Sequence, residues 1–421
     1  MSTDAATTIP PAEQLGTPSR RRSGMVRTRV AITIAVVLLL VGIGGGYAIG
    51  NLLHSGSSTT VLTETGSSLL YPLMKIWGPN YTAYNPSISV SPVSSGSGIG
   101  QSDAELGLVN IGASDGYVVN GSVTNIINVP VAISAQLIWY NLPGLTGHLN
   151  LNGTVLGMIY AQDITNWTNP WILNAQNASI RNELATRDAN LPIYTVVRAD
   201  SSGDTFLFTS LCYMSWSDFP FQPANGGLSG LAGSRVIPET GNAGMVQGVE
   251  SQVGAIAYIG ISYTRTVSGP NLNYAAVGDN ASLSSLGGEN TSNYVLPTAA
   301  NISADATLGL QRLDFAQQQL AVSLILGGSW AGAVNLVRGG GGSNPTGNST
   351  PYPITNLEYA LIKTVPEGNI VTLSALRESV NFLQWAITFG NLPVYLSQVG
   401  FLPLTSEVAG LDTAELSSVQ V

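Results

Sequence analysis

The segment VRADSSGDTFLFT, residues 197–209, places Arg198 two positions before Asp200 and leads through Ser201, Ser202 and Gly203 into Asp204 and an apolar, helix-like run. These residue types suit the binding of an anion. Arginine offers five N–H donors in a planar fork, and a neighbouring carboxylate fixes its direction. Serine hydroxyls and the main-chain N–H groups of a glycine-containing turn at a helix start add neutral donors. Three further loops have the same character: TETGSSLLYPLM, VSSGSGIGQ and NIGASDG. Each of them alone also reads as an ordinary helix cap. Together they predict an anion site that needs little net positive charge.

Other chemistries lack their residues. A serine hydrolase needs a histidine base, yet the chain has only His54 and His148, and no G-x-S-x-G turn. Two distant histidines and the single Cys212 do not make a zinc site. SGSGIG matches neither G-x-G-x-x-G nor the phosphate loop that ends in G-K-[ST]. The aromatic stretches, such as CYMSWSDFPF, read as packing and not as a cofactor box. No cofactor and no metal are expected, and the function is expected to be binding without catalysis.

Such loops must be carried at the ends of regular elements, and the chain supplies them. Strand-like runs, SISVSPV, LGLVNIGAS, INVPVAISAQLIWYNL, LPIYTVVRA and GAIAYIGISY, alternate with longer amphipathic runs, which predicts an α/β protein. NLVRGGGGSNPTGNSTPYP reads as a loop, YPITNLEYALIK as a strand, and TLSALRESVNFLQWAITFGNL as a helix with Gly390 at its C-cap. At 421 residues, two domains are expected.

Charged residues make up only 9% of the chain, against about 25% in an average soluble protein. Five of the fifteen basic residues lie in the first 29 positions with two acids, leaving ten basic against 22 acidic residues beyond. That balance excludes non-specific nucleic-acid binding, which needs clustered Lys and Arg. Residues 1–29 read as a basic cytoplasmic tail, 30–53 as an uncharged transmembrane signal-anchor, and 54–60 as a linker. The anchor implies a cell-membrane protein with an extracellular ectodomain, and nine N-x-[ST] triplets after it suit an exposed glycoprotein, plausible for an archaeon.

The four loops, in this order and roughly this spacing, resemble the phosphate-binding protein of high-affinity phosphate ABC transporters. LNGTVLGMIYAQDITNWTNPWI, GNAGMVQGVESQVGAIAYIGISYT and YPITNLEYALI also resemble segments of that family, so the likeness runs from Val61 to Phe401. It implies a two-lobed periplasmic-binding-protein-like fold of type II. Lobe one would comprise 61–138 plus 354–421, and lobe two 139–353. Inorganic phosphate would bind between them and pass to an ABC permease.

Carried over by motif, the resemblance implies phosphate contacts from Ser68, the main chain of Leu69, Ser95, Asp115, Arg198, Ser202, Gly203 and Asp204. Ser97 supports or replaces Ser95, because the Ser/Gly register is ambiguous by one residue. Asp200 would steady Arg198. Asp115, otherwise a plain turn residue, would select an anion that still carries a proton, since a carboxylate only accepts hydrogen bonds. Asp204 stands where the family has a threonine donor. Either it caps its own helix, or the site takes the monoanion H₂PO₄⁻ with one proton to each of Asp115 and Asp204. The competing expectations are a binder of another oxyanion and a surface or adhesion glycoprotein that has kept the fold without the ligand.

Overall fold

The computed structural model describes residues 59–118, 125–187, 190–278, 294–304 and 352–421. All of them lie in one compact unit, Thr59–Val421. The chain opens with β1 (Thr60–Gly66), α1 (Tyr71–Tyr84), β2 (Ile88–Ser94), α2 (Ser97–Glu105) and β3 (Ile111–Ser114). The long strand β4 (Ile126–Asn141) follows, then β5 (Asn150–Asn152), α3 (Gly153–Tyr160), α4 (Pro170–Asn174), α5 (Ala178–Arg187), β6 (Tyr194–Arg198) and α6 (Gly203–Ser215). Next come β7 (Val236–Glu239), α7 (Gly241–Ser251), β8 (Ala255–Gly260), β9 (Leu272–Tyr274), β10 (Ala276–Gly278) and β11 (Tyr294–Val295). β12 (Thr355–Lys363), α8 (Leu373–Ile387), α9 (Pro393–Leu396) and α10 (Ser406–Leu416) complete it.

One mixed sheet runs in the order β2-β1-β3-β12-β4-β8-β6-β7, with β9 against β4. β1 is parallel to β2 and β3, and β6 is parallel to β7 and β8. β4 links the two parallel sets. Its first part, up to Ala135, pairs antiparallel with β12, and from Gln136 onward it pairs antiparallel with β8. Every residue of β4 and of β12 is buried, as expected of strands covered on both faces and rich in β-branched residues. Pro130 is accommodated in β4 because the register with β12 shifts between Glu358 and Tyr359, and a bulge relieves the missing N–H.

β3 lies against β12, with β1 beyond it, and β6 lies against β8, the partner of β4; the carboxyl-end loops of β1, β3 and β6 converge, since Ser67 after β1 and Gly203 after β6 both meet Asp115 after β3. In open α/β sheets such a crevice is where ligands bind.

The transmembrane anchor expected over 30–53 requires correction, and with it the anchored fold class, the membrane as partner and the single-pass location at the cell membrane. That segment lies outside the described residues, and among the described residues no helix is long and apolar enough to cross a membrane. The longest helix described, α8, has 15 residues and so spans about 22 Å, short of the about 30 Å of a bilayer core. The apolar run INVPVAISAQLIWYNL has become strand, buried within the sheet. A smaller difference concerns α8, whose C-cap is Thr388; Gly390 lies beyond it and donates its N–H to Trp385 O at 2.8 Å.

Candidate functional site

The first loop follows β1. Gly66 makes the turn at φ 141°, and a Cβ on it would lie 2.0 Å from Ala113 O, so only glycine lets β1 end against β3 there. Ser67 Oγ accepts from the N–H groups of Leu69 at 3.1 Å and Leu70 at 2.9 Å, and donates to Asp115 Oδ1. Ser68 Oγ accepts from both N–H and Nδ2 of Asn242, at 3.1 and 3.0 Å, which leaves its own hydrogen to donate.

In the second loop the two serines separate. Ser97 Oγ donates to Asp115 Oδ2 at 3.0 Å, whereas Ser95 Oγ pairs with Thr65 Oγ1 at 2.6 Å, away from the aspartate. The third loop thus delivers a buried Asp115 whose two carboxyl oxygens each receive a serine hydroxyl.

β6 brings Arg198 to the same place. Its guanidinium is bidentate to Asp200, with Nε to Oδ1 at 2.7 Å and a shorter contact from Nη2 to Oδ2. Nη1 reaches Asp204 Oδ2 at 3.1 Å. Three of the five donors are thereby directed, and two remain for an anion. Burial alone would lower the Arg198 pKa, but the Asp200 hydrogen bonds and the charges of Asp204 and Asp200 more than reverse this. Asp200 in turn is raised by burial and brought below its ordinary value by Arg198.

Ser202 caps α6 by accepting from Thr205 N–H, and Gly203 starts the helix directly against the third loop. A Cβ on Gly203 would lie 2.6 Å from Asp115 Cβ and 2.7 Å from Ser97 Oγ. Loops from β6 and from β2 and β3 are therefore in contact across the crevice. Asp204 is fully buried and does not cap its own helix through the side chain. Its Oδ2 accepts from Asn242 Nδ2 at 2.6 Å and from Arg198, and its Oδ1 accepts from Gln136 Nε2 at 3.1 Å. Burial and then the Asp115 charge push its carboxyl up to about 7, against Arg198, Asn242 and Gln136.

Leu69, the last of the expected contacts, is fully buried, and its carbonyl accepts from Ser262 Oγ at 2.8 Å. The structure therefore brings together Ser68, Asp115, Arg198, Ser202, Gly203, Asp204, Asp200 and Ser97.

Four polar residues at the site were not anticipated: Ser67, Gln136, Asn242 and Glu358. Gln136 and Glu358 sit within wholly buried strands, and a polar residue inside such an apolar run is a signal the sequence does carry. Asn242 follows Gly241, whose φ of 64° opens α7 toward Ser68 and Asp204.

The crevice thus gathers a buried arginine with two undirected donors, the hydroxyl of Ser68, a glycine N–H at a helix start and the acceptor Asp115. Among the described residues no cluster of three or more His, Cys, Asp or Glu side chains could hold a metal ion.

Comparisons with known proteins agree with this architecture. A family model described as PBP superfamily domain matches residues 54–307. The chain is 23% identical over 399 residues to the phosphate-binding protein PstS of Methanocaldococcus jannaschii, covering 89% of this chain and 91% of that protein. It is 27% identical over 358 residues to the protein of the same name from Pasteurella multocida, covering 82% and 87%. Among solved structures, a phosphate-binding protein from Stenotrophomonas maltophilia superposes with a TM-score of 0.54 at 18% identity, over 84% of this chain and 93% of that one. A high-affinity periplasmic phosphate-binding protein, solved with phosphate bound, superposes with a TM-score of 0.58 at 16% identity, again over 84% and 93%.

Proposed function

The chain belongs to the PBP superfamily, and from that premise we propose that it captures inorganic phosphate and hands it to the permease of an ABC importer. The single observation that carries this is the convergence of a buried Arg198, bonded to Asp204, and a buried Asp115, bonded to Ser97, on loops that touch through Gly203. The relatives from Methanocaldococcus jannaschii and Pasteurella multocida, both called phosphate-binding proteins, support it.

Arg198 supplies charge and direction from its two undirected donors. Ser68 and Ser202 supply hydroxyls, Gly203 supplies a main-chain N–H group, and Ser97 steadies Asp115 in place of Ser95, while the Leu69 N–H, carried over as a further donor, is given to Ser67 Oγ. Asp115 accepts from a ligand hydroxyl, which phosphate offers near neutral pH and sulfate does not. A sulfate oxygen there would face an acceptor with no hydrogen between them, an unmet polar demand of the kind that supports discrimination of about 10⁴-fold.

Asp204 completes the account. Its carboxyl, pushed up to about 7 by burial and by Asp115, is neutral in acid, so Asp204 then sets a proton and not a second negative charge against the anion. The protein works by capture and release, without catalysis. The two parallel sets of strands joined through β4 and β12 act as lobes, 61–138 plus 354–421 and 139–353, which hinge about the central pair and close on the anion. One of the structurally similar proteins is periplasmic, and the same side of the membrane suits an importer's receptor.

The test is equilibrium dialysis of labelled phosphate against the full chain and Arg198→Met. Loss of the strong cation at the anion weakens binding by about 100-fold or more, the size expected for charge-assisted hydrogen bonds. Equal binding by parent and variant would remove Arg198, and this function, from the site.

A further inference from the structure

Glu358 is fully buried on β12, directly beside the register shift that re-aims the strand. Its Oε1 accepts from Ser134 Oγ and from Asn356 Nδ2, the latter at 3.2 Å. The same Asn356 amide donates to Asp115 O at 2.8 Å, tying the glutamate to the third loop. The other oxygen, Oε2, is buried and meets no donor. The Asp115 carboxyl lies within hydrogen-bonding reach of the Glu358 carboxyl. Two carboxyl groups in that relation face each other as acceptors unless a proton lies between them, and an isolated buried carboxylate is too costly to keep.

We propose that Glu358 is a positioning residue that carries a proton on Oε2 and donates it to Asp115, leaving Asp115 a single open acceptor for the ligand. A carboxylate has about four lone-pair sites. Ser67, Ser97 and Glu358 fill three of them, so the fourth admits one ligand hydroxyl and no more. Glu358 thus sets how many ligand protons Asp115 can read without touching the ligand itself. The inference rests on the phosphate reading above for its consequence, although the proton itself does not depend on it.

The charges around Glu358 agree. Its titratable neighbours are Asp115 and Asp204, both acids, while Ser134 from β4 and Asn356 from its own strand are neutral. The cation at the site, Arg198, is already engaged by Asp200 and Asp204. Burial first, then Asp115 and Asp204, raise the Glu358 carboxyl well above the usual carboxylate range.

Two measurements on the full chain test this. The first is infrared difference spectroscopy of the parent against Glu358→Gln at pH 7 without phosphate. The parent is expected to show a protonated-carboxyl C=O band that the variant lacks; a spectrum with no such difference overturns the assignment of the proton. The second is phosphate titration. Glutamine offers an N–H where Oε2 carries its proton, so Glu358→Gln should bind within about threefold of the parent at pH 6, while Glu358→Leu, which has no donor, binds about tenfold or more weakly. Equal affinities for the leucine and glutamine variants would overturn the role at Asp115, and if the leucine variant does not fold, the infrared band still decides. A parent that binds no phosphate, yet shows the band, would refute the ligand and leave the proton in place.

Discussion

Replacing Asp204 by asparagine removes an ionisable carboxyl that the structure buries between Arg198, Asn242 and Gln136. The carboxyl is fully buried and pushed up to about 7 by burial and by Asp115. At pH 5 about 99% of the parent has Asp204 neutral, and at pH 8 about 9%. If the anion is accepted with that group neutral, the apparent dissociation constant scales inversely with this fraction. The parent therefore loses about tenfold between pH 5 and pH 8 from Asp204 alone, and about 100-fold by pH 9. Asparagine cannot ionise, so the ratio of variant to parent affinity should rise by about tenfold between pH 5 and 8. Phosphate's own second ionisation is common to both proteins and cancels in that ratio. Calorimetric titration of both proteins at the two pH values measures it. A ratio that does not change with pH, or an Asp204→Thr variant that binds more tightly than the parent at pH 5, would refute the reasoning.

Asp115→Asn adds an N–H where the parent only accepts, so competition dialysis should show the preference for phosphate over sulfate reduced by about 100-fold or more, whereas an unchanged preference would place selectivity elsewhere. Gly203→Ala puts a methyl 2.6 Å from Asp115 Cβ, and phosphate affinity measured by equilibrium dialysis should fall at least tenfold, whereas an unchanged affinity would take this loop contact out of the site. Glu64 is fully buried, and burial raises its carboxyl to about 8 against a main-chain hydrogen bond at Val93. Its native value lies above the unfolded one, so its contribution to stability is complete below pH 4.5 and is lost as pH rises to 8. The ceiling on that loss is about 5 kcal/mol. Glu64→Gln should accordingly raise the melting temperature at pH 8 and leave it nearly unchanged at pH 4, as thermal melts at the two values will show.

The loops at the strand ends are legible in the sequence because their composition is unusual. A serine-glycine run before an apolar helix has few uses, and Arg198 stands out in a chain with so little positive charge. The positions of Ser95 and Ser97 are not separable by pattern, since both follow the same strand and only the turn at Gly96, with φ of 93°, decides which serine faces Asp115. Gln136, Asn242 and Glu358 escape sequence reasoning for a different reason. Each acts from an element remote in sequence from the loop it touches: Gln136 and Asp204 are 68 residues apart, and Asn242 and Ser68 are 174 apart. Local pattern carries no such pairing. The role of Asp204 also turns on tertiary contacts, because a helix start explains an acid equally well until Arg198 and Asn242 are seen around it. The uncharged run at 30–53 reads as an anchor from its length alone; it lies outside the described residues, among which no helix is long and apolar enough to cross a membrane.

The most direct test of the account is calorimetric titration of the full chain with phosphate and then with sulfate, at pH 5 and pH 8. Saturable phosphate binding that is stronger at pH 5, with no heat from sulfate at either pH, is the predicted result. Sulfate bound as well as phosphate, or neither anion bound, would contradict it.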